Sequence, residues 1–273
     1  MTNREGKMMR KLIGFLMCIP LAIFSGTSYS AISQKRLPNE TFQQALNRVK
    51  DSAAQIKNNL LHVKDTPLGK KVPVEEIDFS IAPVIVSYQE LVHMFHLIRD
   101  TRFLHVEESP DFPRRISWLY PDDGCFARAA LSGMKLHDEE LIRPAKIFAF
   151  GQLVVQTPYS SSGSVSWWYH VAPVVNYMGD NYVLDPALNS QTPLLVEDWF
   201  NIMGINAHLK GVVCNVYAYD PFDDCFKATA KSDKHARSDQ LKYLLKEWNR
   251  MSYLGLDPVV LLGENPPWIP ASE

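Results

Sequence analysis

Two runs of aromatic and β-branched residues, Lys146 to Gln156 (KIFAFGQLVVQ) and Trp167 to Tyr177 (WWYHVAPVVNY), constrain this chain most. Each reads as a strand, because such side chains fit a pleated surface better than a helix. Ser160 to Ser166 (SSSGSVS) is a flexible connection between them. Met178-Gly179-Asp180-Asn181 reads as a turn, and Tyr182 to Leu184 starts a third strand that ends at Asp185-Pro186. Upstream, Cys125 to Met134 (CFARAALSGM) reads as a helix with Asp122 or Asp123 as its N-cap. The expected layout is α+β, a helix that begins at Cys125 packed on an antiparallel β-sheet with peripheral helices around it. Ser87 and Glu90 form an S-x-x-E capping box for one of these, running to about Arg99. Arg237 to Met251 is another, with Leu241, Leu244, Leu245 and Trp248 on one face. No internal repeat and no glycine-rich phosphate loop interrupts this pattern.

The N-terminus has a different character. Arg4, Lys7, Arg10 and Lys11 precede an apolar run, Leu12 to Phe24, and then a small-residue stretch, SGTSYSA. A basic start, a short apolar core and small residues before a cut describe a secretory signal peptide, with cleavage expected near Ser30. The apolar run is short for a membrane span. The expected destination is secreted or periplasmic, with no stable membrane association after cleavage. Residues 31–75 are then expected either as a separable N-terminal helical segment or as a peripheral helix packed on the main domain: Asn39 to Val63 carries Phe42, Leu46, Val49, Ala53, Ile56 and Leu60 at helical spacing, and Thr66 to Val74 is a breaker-rich linker. Residues 76–273 are expected to form the main domain, the one that carries the candidate catalytic residues. Lys and Arg number 28 against 30 Asp and Glu, so no basic excess exists to neutralise phosphates and nucleic acid is not an expected partner.

Loss of residues 1–30 leaves three cysteines, Cys125, Cys214 and Cys225. In an oxidising compartment two should pair. Cys214 and Cys225 flank a turn-rich stretch and are the expected disulfide, which leaves Cys125 as a free thiol. Cys125 follows PDDG, so it stands at or beside a helix start, where backbone N–H groups favour a thiolate and could hold an oxyanion on a substrate. Strand alternation puts His170 on the face of Trp168 and Ala172, opposite Tyr169 and Val171. A hairpin turning at Met178 to Asn181 brings Asp185 near His170, with an offset of a few residues for a bulge or tilt to absorb. Asp185 could then accept from one imidazole nitrogen while the other faces Cys125. Nucleophile, base and orienter in that order describe a thiol acyl-transfer enzyme. Trp118, Trp167 and Trp168 are candidate walls of a substrate slot that excludes water. The remaining histidines show no zinc-type spacing with cysteine, so neither a metal nor a cofactor is expected.

The stretch SWLYPDDGCFARA, followed by KIFAFGQLVV, WWYHVA and YVLDPAL, resembles the bacterial protein-glutaminases, secreted protein-glutamine deamidases of transglutaminase-like fold. The resemblance covers roughly Ile81 to Leu188. It implies that Cys125 is the nucleophile, His170 its general base and Asp185 the residue that orients His170. It further implies hydrolysis of protein-bound glutamine to glutamate and ammonia, with protein or peptide substrates carrying exposed glutamine as partners. A transglutaminase, a thiol protease or a non-catalytic binding protein on this fold would use the same residue order.

Overall fold

In the described residues, the strand-rich middle of the chain folds as a sheet with helices on both faces. The structure is a computed structural model and describes residues 35–37, 39–41, 43–45, 47–48, 71–204, 208–227 and 231–269. The expected signal peptide and most of the helix expected from Asn39 to Val63 lie outside these, although 43–45 and 47–48 are helical. In chain order the elements are β1 (Val72–Pro73), a 3-10 turn (Val74–Glu76), α1 (Tyr88–Asp100), β2 (Leu104–Val106), β3 (Ser109–Arg114), α2 (Cys125–Asp138), β4 (Ala145–Gln156), β5 (Ser164–Tyr177), β6 (Asp180–Val183), β7 (Leu194–Leu195), α3 (Val196–Met203), β8 (Lys210–Cys214), α4 (Lys231–Tyr253) and α5 (Pro258–Leu262).

Six strands form one antiparallel sheet in the order β1-β8-β4-β5-β6-β7, and β2 and β3 form a separate hairpin. Because β1 pairs with β8, Val72–Pro73 belongs to the main sheet although it precedes residue 76. Residues on both sides of that expected boundary lie in one compact unit, Ala31–Glu273. The turn between β5 and β6 places Met178 and Gly179 in the left-handed region, at φ 53° and 94°, and sets Tyr177 opposite Asp180. A two-residue turn of that hand matches the twist of the strands it joins. Ser87 caps α1 as the sequence indicates, accepting from the Glu90 amide at 3.0 Å, while Glu90 accepts from the Val86 amide at 3.1 Å.

The central strands are buried on both sides, hence their near-continuous apolar sequence. One core holds Phe148, Phe150, Tyr169 and Val171 against Phe126, Ala129 and Ala130 of α2. The other holds Ala145, Ile147, Ala149, Ala172 and Val174 against Trp199, Phe200 and Met203 of α3. The β4–β5 register slips between Phe150 and Leu153. Strict alternation fails at that bulge: His170 stays on the face of Ala172, opposite Tyr169 and Val171, but Trp168 joins the first core and Trp167 the second. On α4 the expected apolar face is narrower than the sequence indicates, since Leu244 is buried but Leu245 is 47% exposed. Cys214 and Cys225 form the expected disulfide, and Cys125 is a free, buried cysteine.

Candidate active site

The segment that delivers Cys125 is a buried loop, so its polar groups need internal partners. Glu247 of α4 accepts from the Leu119 amide at 2.9 Å and pairs with Arg114 at 2.7 Å. Burial pushes the Glu247 carboxyl up, against the opposing pull of Arg114 and of that amide. Arg128, one turn into α2, donates to the carbonyls of Tyr120 and Asp123 at 3.1 and 2.8 Å. The Trp167 indole donates to the Pro121 carbonyl at 2.9 Å, and Asp122 pairs with Arg250 of α4. The N-cap is Gly124 rather than Asp122 or Asp123. It sits at φ 91°, and a Cβ there would lie 2.8 Å from the Tyr243 ring. A residue that is both left-handed and pressed against an aromatic ring has to be glycine. The Asp123 carboxylate accepts from the Gly124 amide at 2.8 Å. Four elements therefore fix where α2 begins, and it begins at Cys125.

His170 and Asp185 come together as expected. Their register pairs would set Asp185 level with Ala172, two residues from His170, but β6 leaves the ladder at Val183 and the chain turns back. The His170 Nε2 and Asp185 Oδ2 lie 2.7 Å apart. Oδ2 also accepts from the Trp199 indole at 2.9 Å, and Oδ1 from the Ala187 amide at 3.2 Å. The imidazole is layered between indoles: Trp167 stacks on it at 4.8 Å with an interplanar angle of 12°, and Trp199 lies at 5.5 Å and 31°. Burial acts to raise the Asp185 carboxyl, yet His170, the Trp199 donor and the Arg128 charge outweigh it and hold Asp185 below the usual carboxylate range.

Cys125 meets β5 at the residues on either side of His170. The Val171 amide donates toward its sulfur and the Tyr169 hydroxyl faces it. Along this stretch β5 has no β6 partner, because the β5–β6 ladder covers only Val174 to Tyr177. The thiol differs from expectation in one respect. Burial pushes it up to about 12, against the lowering pull of Arg128, Val171 and Tyr169. The position at a helix start favours a thiolate, but at 1% exposure desolvation of the charge is the larger effect.

The three tryptophans have separate places. Trp167 stacks on His170 and hydrogen-bonds the loop before Cys125. Trp118 donates to the Ile98 carbonyl at 3.2 Å in the first core, and Trp168 packs there beside Phe150 and Phe222. All three are at most 3% exposed, so none presents a wall to solvent in this structure. Sequence reasoning missed Trp199, Arg128 and Tyr169. An indole in VEDWFNIM carries no mark that separates a carboxylate donor from a core side chain. Tyr169 and Arg128 were visible only as members of the YH and C-x-x-R blocks. Among the described residues, no group of three or more His, Cys, Asp or Glu could hold a metal ion, and no helix is long and apolar enough to cross a membrane.

Several known proteins are similar to this chain. The solved structure of pro- protein-glutaminase is 21% identical, over 70% of this chain and 67% of that one, with a TM-score of 0.45. Protein-glutaminase from Chryseobacterium proteolyticum, solved by NMR, is 22% identical over 69% of this chain and 95% of that one, with a TM-score of 0.43. The A47Q2 mutant of pro- protein-glutaminase is 23% identical with a TM-score of 0.41, and the matched region spans 56% of this chain and 55% of that chain's length. No curated protein matches this chain. Residues 91–203 match the sequence profile of a family described as glutaminase. That region runs from α1 through α3 and holds Cys125, His170, Asp185 and Trp199, and it is over this region that the chain is similar to the glutaminase family.

Proposed function

We propose that this chain is a secreted thiol hydrolase that converts protein-bound glutamine to glutamate and ammonia through a thioester on Cys125. The observation that carries the reading is the His170–Asp185 pair, held between Trp167 and Trp199 on the strand that Cys125 abuts. The glutaminase profile over the same residues supports carboxamide hydrolysis over the other thiol chemistries.

The chemistry follows from the environments. Cys125 is a neutral thiol at rest, so it needs a base, and the ionised Asp185 stabilises the imidazolium that forms on His170. The sulfur gives its proton to His170 and bonds to the carboxamide carbon. Backbone N–H groups at the start of α2 hold the oxyanion. His170 then returns the proton to the departing nitrogen, the C–N bond breaks, and ammonia leaves behind a thioester. Water, deprotonated by His170, attacks that carbon, the C–S bond breaks, and glutamate and the Cys125 thiol are released. Layered indoles keep the imidazole in one plane through both steps.

Cys125 and His170 are each 1% exposed, so substrate access needs an opening. In this reading the N-terminal part that includes Lys35 and Arg36 supplies the cover. Support comes from Lys35, which pairs with Trp167 in a strand bridge and approaches Asp122 at 3.5 Å, and from the Arg36 amide, which donates to the Ser166 carbonyl at 3.2 Å. The Cys214–Cys225 disulfide supports an oxidising destination.

The test is ammonia release from an amide-rich protein such as casein, with the intact mass of the product and Cys125→Ala as control, before and after limited proteolysis of the chain. Ammonia with about +1 Da per event, from replacement of NH₂ by OH, and none from the variant is the expected result. Fragments without ammonia, or ammonia with lysine cross-links in place of the +1 Da product, would overturn the deamidase reading in favour of a protease or a transglutaminase.

A further inference from the structure

Beside Cys125 is a buried hydroxyl that faces the thiol but has no hydrogen bond of regular geometry in the resting structure. Tyr169 is fully buried, and its Oη has no hydrogen-bond partner of regular geometry. Other buried phenols of this core are engaged: Tyr219 donates to Asp239 at 2.7 Å, and Tyr243 bonds Asp123. The Tyr169 ring is held against Trp168 at 4.5 Å and Phe150 at 6.4 Å, so the hydroxyl is fixed toward α2. The group it faces there is the Cys125 sulfur. A second orphan lies close by, since Arg128 Nη2 is buried without a partner while Nη1 holds the loop. Buried donors left without an acceptor are uncommon and costly, and are kept where a ligand or a reaction supplies the missing partner.

We propose that Tyr169 is a catalytic residue whose hydroxyl donates to the anionic sulfur of Cys125 and to the oxyanion formed on attack, over the fixed charge of Arg128. This deepens the thioester reading and rests on it. A neutral thiol is a weak acceptor, so the hydroxyl gains little at rest. When His170 takes the proton, the sulfur becomes a strong acceptor in a water-free site, and the donor is already in place. An interaction stronger in the transition state than at rest is the kind that raises kcat. The charged and titratable groups that face the sulfur fit the same account. Arg128 from α2 favours its ionisation, Asp123 from the preceding loop opposes it, and Tyr243 from α4 is occupied with Asp123.

Tyr169→Phe keeps the ring and removes only the donor. Two readouts separate this role from packing: kcat and KM for ammonia release, and the pH profile of Cys125 alkylation by iodoacetamide. Expected are a kcat lower by about 10–100-fold with KM little changed, and an alkylation midpoint shifted up by about one pH unit, the size of one hydrogen bond to a charged group. The melting temperature should hold or rise, because an unsatisfied polar atom is removed. Unchanged kcat and an unchanged alkylation midpoint would overturn the role of Tyr169. Should the wild-type chain release no ammonia, the deamidase reading fails, and the alkylation midpoint still decides whether Tyr169 donates to the sulfur.

Discussion

At the residue scale, the behaviour of His170 is set by groups that differ in how they can be recognised. Asp185 was legible because an acid after a strand, within a few residues of register with a histidine on its neighbour, has a geometric reason to be there. Trp199 was not, because it comes from a helix outside the hairpin and its indole N–H is the only sign of its role. Two donors at Oδ2 and one at Oδ1 keep the Asp185 carboxylate fixed and ionised. Trp199→Phe keeps an aromatic ring near the imidazole and removes one donor. Activity should fall about tenfold and stability by about 1–3 kcal/mol, since a buried carboxylate loses a partner. Paired kinetics and thermal denaturation check this, and full activity would show that Trp199 only fills space. The thiol of Cys125 teaches the converse. Its position at a helix start is local and readable, but its burial is a product of the whole fold, and burial decides the direction of the shift.

At the element scale, the hairpin of β4 and β5, the turn at Met178-Gly179 and the cap at Ser87 follow from short stretches of chain, and the structure has them, although β5 begins at Ser164, inside the stretch expected as a flexible connection. The start of α2 does not follow from a capping side chain. Gly124 is held by Tyr243 of α4, more than a hundred residues on, which no local pattern announces. The bulge in the β4–β5 ladder is similar: it exchanges Trp167 for Trp168 beside His170, and a strict two-residue period cannot foresee it. The disulfide was legible from the short spacing of Cys214 and Cys225 together with the expected oxidising destination. It ties the end of β8 to the segment before α4 across a separation of 11 residues. Cys214→Ser should cost about 2–3 kcal/mol by the loop-entropy estimate while leaving Cys125 chemistry in place. Chemical denaturation reads the loss, and an unchanged midpoint would mean the bridge constrains nothing that the core does not already fix.

At the scale of the whole molecule, one sheet carries both halves of the site: α2 and its thiol packed on one face, α3 with Trp199 on the other, and β5 between them. The α+β layout was readable, because alternating apolar runs and a helix with small residues leave few other arrangements. The closure of the site was not, since it depends on contacts between loop 115–124 and α4 that no pattern within either segment announces. The account turns on a covalent bond between Cys125 and substrate. The direct measurement is the intact mass of the enzyme, acid-quenched during turnover of a short glutamine peptide, followed by peptide mapping. An adduct equal to the peptide less ammonia, confined to the Cys125 fragment and absent from Cys125→Ala, is the expected result. Ammonia released at full rate with no adduct on Cys125 would contradict thioester chemistry and remove Cys125 from the role of nucleophile.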